Sequence, residues 1–305
     1  MTNPIADVLA RCNENARLAK EKAERKAPSS KPLAVPESNV VKLPVWPEAV
    51  RCVPNGMLRS ALFGAIKKGQ RKLLEREKIA AQDGIEIRYT GARLDQGDLD
   101  VWESVLHIAR DQAMGAHCRF TAYAMLKLLG KTDAGSNRDN LHKRLMRLKA
   151  TAVEVEQGRY SYAGSLLDDV YRDKETHEYV VVLNPKLRPL FTADQFTQID
   201  WNVRHALAGQ PLAQWLHGYY ASHAQPFPVK VGTIHNLCGS DTAEIWKFRQ
   251  TLRRALDALT DASNANEQPF RYAIRGDLVY VQRKASATQR RHLAKYTKRL
   301  SRGKP

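Results

Sequence analysis

The stretch SDTAEIWKFRQTLRRALDALTDA, residues 240–262, decides the fold. At 3.6 residues per turn, Ile245, Phe248, Leu252, Leu256 and Leu259 fall on one apolar stripe, the pattern of a helix laid against a core. The opposite arc carries Trp246, Lys247, Gln250 and Arg254, with Arg249 and Arg253 beside it. Ser240 or Asp241 is placed to cap this helix, since Asp241-x-x-Glu244 has capping-box spacing. A short helix over 232–237, stopped by Gly239, precedes it. Two strands follow, 269–274 and 278–282, joined at Arg275-Gly276-Asp277. Short helix, turn, long helix, hairpin is the order of a winged helix.

Moving outward toward the N-terminus, Pro211 opens a helix over 212–222, and residues 201–208 are apolar on one face. The first half carries a similar order with different residues. GIEIRYTG (84–91) alternates as a strand, and LDVWESVLHIAR (99–110) places Leu99, Trp102, Val105, Leu106 and Ala109 on one helical face. A second helix is expected over 120–129, ended by Gly130, and a third over 138–150 with Leu141, Leu145 and Leu148 buried. Its outer arc holds His142, Lys143, Met146 and Arg147, flanked by Arg138, Arg144 and Lys149. Strand-like runs at 152–156, 160–167 and 178–183 then form the hairpin, with a charged turn at 172–176.

The expected fold class is therefore α+β, with two tandem winged-helix domains related by internal duplication. Residues 48–196 form the first and 197–284 the second. Residues 1–47 are a flexible segment and proline-rich linker, and residues 285–305 a basic tail. Within the linker Val40, Val41, Leu43, Val45 and Trp46 are either a docking peptide or the lead-in to the first domain.

Charge points to the partner. Forty-nine Lys and Arg against 32 Asp and Glu give +17 and a pI near 9.8. Such an excess favours a polyanion, because binding phosphate releases its condensed counterions. In a helix-turn-helix the second helix enters the major groove, where Arg takes guanine and Gln takes adenine. The candidate DNA contacts are Ser240, Trp246, Lys247, Arg249, Gln250, Arg253 and Arg254 in the second half, and Arg138, Lys143, Arg144 and Arg147 in the first. The acid-free tail from 282 to 305 adds affinity and salt dependence without sequence specificity.

Other classes find little support. No run approaches the roughly 18–20 apolar residues that span a bilayer, and the N-terminus lacks a secretory apolar core. A cytoplasmic location is expected. The four cysteines form no C-x-x-C pair, so they read as free thiols. GAIKKGQR (64–71) has P-loop glycines but Gln70 and Arg71 where Lys and Ser/Thr are required. Asp168 and Asp169 are neighbours on a strand and face opposite sides, a poor two-metal site. His107, His117, His205, His217 and His223 stand singly, as solvated or core residues. No catalytic constellation, metal or cofactor is expected, and the chain is read as a binding protein.

The chain resembles the TrfA-type initiators of broad-host-range plasmids from about Trp46 to Lys284. The resemblance rests on WPEAVRCVPNGMLRSALF (46–63), IRYTGARL (87–94) followed by VWESVL (101–106), RLKATA (147–152), SLL (165–167), YASHAQPFPVK (220–230) and LCGSD (237–241), in that order. It implies two winged-helix domains that bind iterons, the repeated duplex sites of a plasmid origin. It also implies opening of adjacent AT-rich DNA, contact with its single strand, and recruitment of DnaA, the DnaB helicase and the sliding clamp. Self-association between monomer and dimer, and plasmid copy control, come with it. The family's clamp-binding Gln-Leu-x-Leu-Phe peptide has VVKLPVW (40–46) in its place here, without the glutamine. A transcriptional regulator or autorepressor would use the same modules. An origin-nicking nuclease would need a metal cluster that the sequence does not supply.

Overall fold

The computed structural model describes Leu43 and residues 46–66, 69, 71–82, 84–110, 117–157, 160–191, 195–291 and 293–294. The N-terminal segment, most of the linker, Cys12 and the tail beyond 294 lie outside the described residues. Leu43 and Trp46 are buried in the core, and the Trp46 indole donates to His107 Nδ1 at 3.0 Å. Those two side chains are therefore a lead-in to the fold and not exposed docking anchors.

The first half begins with β1 (Val50–Pro54), the single turn α1 (Asn55–Leu58), β2 (Phe63–Gly64), β3 (Leu73–Ile79), β4 (Ile85–Ala92) and β5 (Leu94–Asp95). It continues with α2 (Gln96–Ala109), β6 (His117–Thr121), α3 (Ala122–Leu128) and α4 (Gly135–Lys149). Strands β7 (Ala152–Gln157), β8 (Tyr160–Gly164), β9 (Leu167–Arg172) and β10 (Glu178–Leu183) follow, and β11 (Phe196–Asp200) closes it. The second half is α5 (Trp201–Ala206), α6 (Pro211–Ala221), β12 (Val229–Lys230), α7 (Val231–Leu237), α8 (Ile245–Ala265), β13 (Phe270–Arg275) and β14 (Leu278–Arg283). Buried apolar side chains form two clusters, one drawn from Leu43 to Ile199 and the other from Val203 to Val281.

The fold is mixed α and β, and one arrangement occurs twice. In the first half α2, β6, α3 and α4 precede β9 and β10, which form a three-stranded antiparallel sheet with β6 in the order β6-β10-β9. In the second, α6, β12, α7 and α8 precede β13 and β14, and the sheet order is β12-β14-β13.

The first half differs from expectation in its strands. β7 and β8 do not join 178–183 in one hairpin; they extend a separate sheet, β3-β4-β7-β8. Val153 and Val155 on β7 stand opposite Tyr89 and Ile87 on β4, and all four are buried, so one continuous apolar face fixes this pairing. The partner of β10 is instead β9, which runs from Leu167, the end of the expected run 160–167, to Arg172, where the charged turn is expected to begin. It is an edge strand with an exposed face, and its Asp169 takes an ion pair from Lys149 at 3.1 Å. Residues 120 and 121 likewise belong to a strand. Cys118 and Phe120 are buried with period two, and α3 starts only at Ala122, where the Thr121 hydroxyl accepts from Ala124 N at 3.2 Å.

β1 and β11 pair antiparallel from Val50↔Asp200 to Pro54↔Phe196 and close the first half. The two halves meet through buried polar contacts. Arg204 on α5, 1% exposed, donates to Asp100 Oδ1 at 2.6 Å and to Gln96 O and Oε1 at 3.1 Å each. It also donates to Gln214 O at 3.3 Å and stands 3.6 Å from Glu103.

Candidate nucleic-acid interface

Helix α8 is held by its apolar stripe. Phe248, Leu252, Leu256 and Leu259 are buried against the second core, with Ala255 between them. Ile245, expected in that stripe, is 49% exposed. The helix begins at Ile245 behind an N-cap at Glu244 that makes no side-chain cap, so neither Ser240 nor Asp241 caps it. Their side chains are engaged elsewhere: the Ser240 hydroxyl accepts from Thr242 N at 3.2 Å, and Asp241 pairs with Arg93 at 2.5 Å. The first helical position is therefore left beyond the end of the core.

The outward face gathers Trp246, Lys247, Gln250, Arg253 and Arg254, all exposed, with Arg249 half-buried beside them. Lys247 forms an ion pair with Glu244 and sets its ammonium 5.2 Å from the Trp246 ring. Arg249, Arg253 and Arg254 form no ion pair with any described residue. On the neighbouring hairpin Arg271 and Arg275 are exposed, and Arg275 lies over the Tyr280 ring. The result is a cationic surface whose charges are largely uncompensated within the chain, suited to an anionic partner.

The turn before α8 is held from the first half. Arg93 donates to the carbonyl of Gly239 at 2.6 Å and to Asp241, while Ala65 N donates to Cys238 O at 2.7 Å. Gly239 sits at φ +63°, and a Cβ there would meet Ala61 Cβ and Arg93 Nη2 at 3.0 Å. The turn thus needs both a glycine and the guanidinium. Arg93 is absent from the sequence-derived set, and no local pattern marks it, because its partner is 148 residues away.

The first-half cluster behaves differently. Arg144 bonds Asp95 at 2.6 Å and Asp98 at 2.8 Å, Arg147 bonds Asp98 at 2.8 Å, and Arg71 pairs with both carboxylates. Asp95 and Asp98 also form the capping box of α2. Burial alone would raise the Asp95 carboxyl, but the guanidinium of Arg144, with that of Arg71, outweighs it and holds the group down at about 2. Arg138 is bonded twice to Asp133 at 2.6 Å. Of the four predicted cations, three are matched to carboxylates inside the protein; Lys143 is exposed and without an ion pair among the described residues. Sequence periodicity found the right face of α4, but the acids that neutralise it lie on other elements.

Cys52, Cys118 and Cys238 are buried free thiols, and burial pushes each up to about 12. His107 lies between Trp46 and Glu48, and burial is the main cause of its lowered pKa. Among the described residues, no group of three or more His, Cys, Asp or Glu is gathered to hold a metal, and no helix is long and apolar enough to cross a membrane.

Comparison with known proteins places this architecture. The sequence model of the TrfA protein family matches residues 19–283. The chain belongs to the TrfA family. The plasmid replication initiator protein TrfA of Escherichia coli is 31% identical over 225 residues, which cover 70% of this chain. They cover 58% of that protein, so the chain spans less than two thirds of its TrfA relative. Two crystal structures of domains 2 and 3 of RctB share the fold, with TM-scores of 0.54 and 0.50 at 14% identity. They cover 76% and 75% of this TrfA-family chain and 98% and 96% of the RctB chains.

Proposed function

We propose that this TrfA-family chain is a plasmid replication initiator that binds directly repeated duplex sites at an origin. The observation that carries the proposal is the outward face of α8, where Gln250, Arg253 and Arg254 are exposed and neither arginine has a carboxylate partner among the described residues. Arg and Gln are the side chains that take guanine and adenine edges bidentately, and a helix of this kind fits the major groove. The family match and the E. coli relative, a plasmid replication initiator, support the same reading. Each half is a winged-helix module, residues 48–196 and 197–284, related by duplication; the repeated sheet order supports this assignment. The protein acts by binding and not by catalysis, in the cytoplasm. Bending or opening of adjacent AT-rich DNA is offset by protein–DNA contacts. DnaA, the DnaB helicase, the sliding clamp and a second copy of the chain are its proposed partners.

Footprinting of the full chain on the DNA beside its gene tests the proposal. Protection of several direct repeats next to an AT-rich tract is expected. Arg254→Ala should weaken binding to one repeat by about 1–3 kcal/mol. Protection of a single promoter palindrome, or unchanged affinity in the variant, would refute it.

A further inference from the structure

The start of α8 presents two large apolar side chains to solvent. Ile245 is 49% and Trp246 56% exposed, although the rest of the helix buries its apolar residues. The core ends one turn later, where Phe248 meets the His235 ring edge-on at 4.7 Å. His235 is itself bonded to Thr242 O at 2.8 Å, and Ile245, one turn before Phe248, stays about half exposed. Trp246 makes no aromatic contact among the described residues. Lys247, tied to Glu244, sits by its ring and leaves the rest of the indole open. The pair is thus a fixed apolar tip. It is flanked by the Lys247–Glu244 ion pair, and cations follow along the helix: Arg249 one turn on, and Arg253 and Arg254 two turns on.

That setting selects among occupants. A protein partner with an apolar face would have to bury the adjoining guanidinium groups, which have no carboxylate partner among the described residues, at the cost of their hydration. Duplex DNA supplies phosphate to those cations and offers an apolar feature in its major groove, the 5-methyl group of thymine. The first residues of a groove helix are the ones that reach base edges. We propose that Ile245 and Trp246 are specificity-determining residues that receive thymine 5-methyl groups, about 100° apart on the helix and so directed at different bases. The inference rests on α8 being the groove helix, and adds a sequence preference that the polar residues do not encode.

Deoxyuridine differs from thymidine only by the missing methyl, which gives a clean test. Each thymine of one footprinted repeat is replaced in turn by deoxyuridine, and the full chain is titrated against each duplex. One to three positions should lose about fourfold in affinity, the worth of one buried methyl. In Trp246→Ala and Ile245→Ala those same positions should become indifferent to the substitution. Both side chains are exposed, so the variants are expected to fold, and their unfolding transitions check this. A flat deoxyuridine scan, or sensitivities unchanged in both variants, would overturn the inference. If the scan is flat while Arg254→Ala still loses affinity, the groove helix stands and only the thymine reading falls. If the parent chain binds no repeat, both fall.

Discussion

Replacing Arg204 by methionine keeps most of its volume and removes a guanidinium that serves four acceptors. The cost follows from what is left behind. Asp100 Oδ1 loses a 2.6 Å charge-assisted bond, and the Gln96 and Gln214 carbonyls lose donors inside the protein. Glu103, fully buried, has no hydrogen bond to either carboxyl oxygen among the described residues, and of its two neighbouring cations there it keeps Arg51. Breaking a buried ion pair from one side costs about 3–5 kcal/mol, and that is the expected loss of stability near pH 8. The loss should depend on pH. Burial, only partly offset by Arg204, pushes Glu103 up to about 7 from an ordinary value of 4.5. A raised carboxyl binds its proton more tightly in the folded state, so its contribution is full below about 4.5 and is lost as pH rises through about 7. At pH 5 Glu103 is protonated in the folded protein, and Arg204→Met should cost measurably less. Adding Glu103→Gln should restore about 1–3 kcal/mol at pH 8 by removing the orphaned charge. Urea unfolding of the full chain at both pH values, followed by tryptophan fluorescence, reads all three variants. A loss under about 1 kcal/mol, a loss equal at the two pH values, or no recovery in the double variant would refute the reasoning.

Two further outcomes are expected. Arg93→Ala frees the turn before α8 and should weaken binding to a single repeat by about 1–3 kcal/mol, with partial rescue by Arg93→Lys; unchanged affinity in a gel-shift titration would show that the turn holds without it. Asp95→Asn should lose about 2 kcal/mol near pH 7, since the parent carboxyl titrates at about 2 against an ordinary 3.8. That contribution is present above about 4 and lost as pH falls through about 2, so parent and variant should converge in acid unfolding; curves that stay apart would count against it.

What was legible in the sequence is what local periodicity records. Helices α2, α4 and α8 and the β13–β14 hairpin follow from spacing alone, because each buries one face of a continuous pattern. The cationic face of α8 was legible for the same reason. What was hidden depends on distant partners. β9 is a strand of its own because β10 lies beside it, whereas the sequence joins Leu167 to the run 160–167. Ile245 sits on the right stripe by angle and yet stays about half exposed. Arg144 and Arg147 look identical in sequence to Arg253 and Arg254; only the fold shows that the first pair is claimed by Asp95 and Asp98. Arg93 gave no local signal because its role is made by a turn in the other half.

The β1–β11 ladder has a consequence for biosynthesis. The strand that closes against β1 is made last among the elements of the first half, after six other strands and the whole of the β6-β10-β9 sheet. While the ribosome is still synthesising residues before Phe196, β1 has an open edge, and its own Cys52 and Val53 lack the strand that lies beside them in the finished fold. The nascent chain is thus most exposed to mispairing just before α5 emerges, and translation pauses upstream of Phe196 would lengthen that interval.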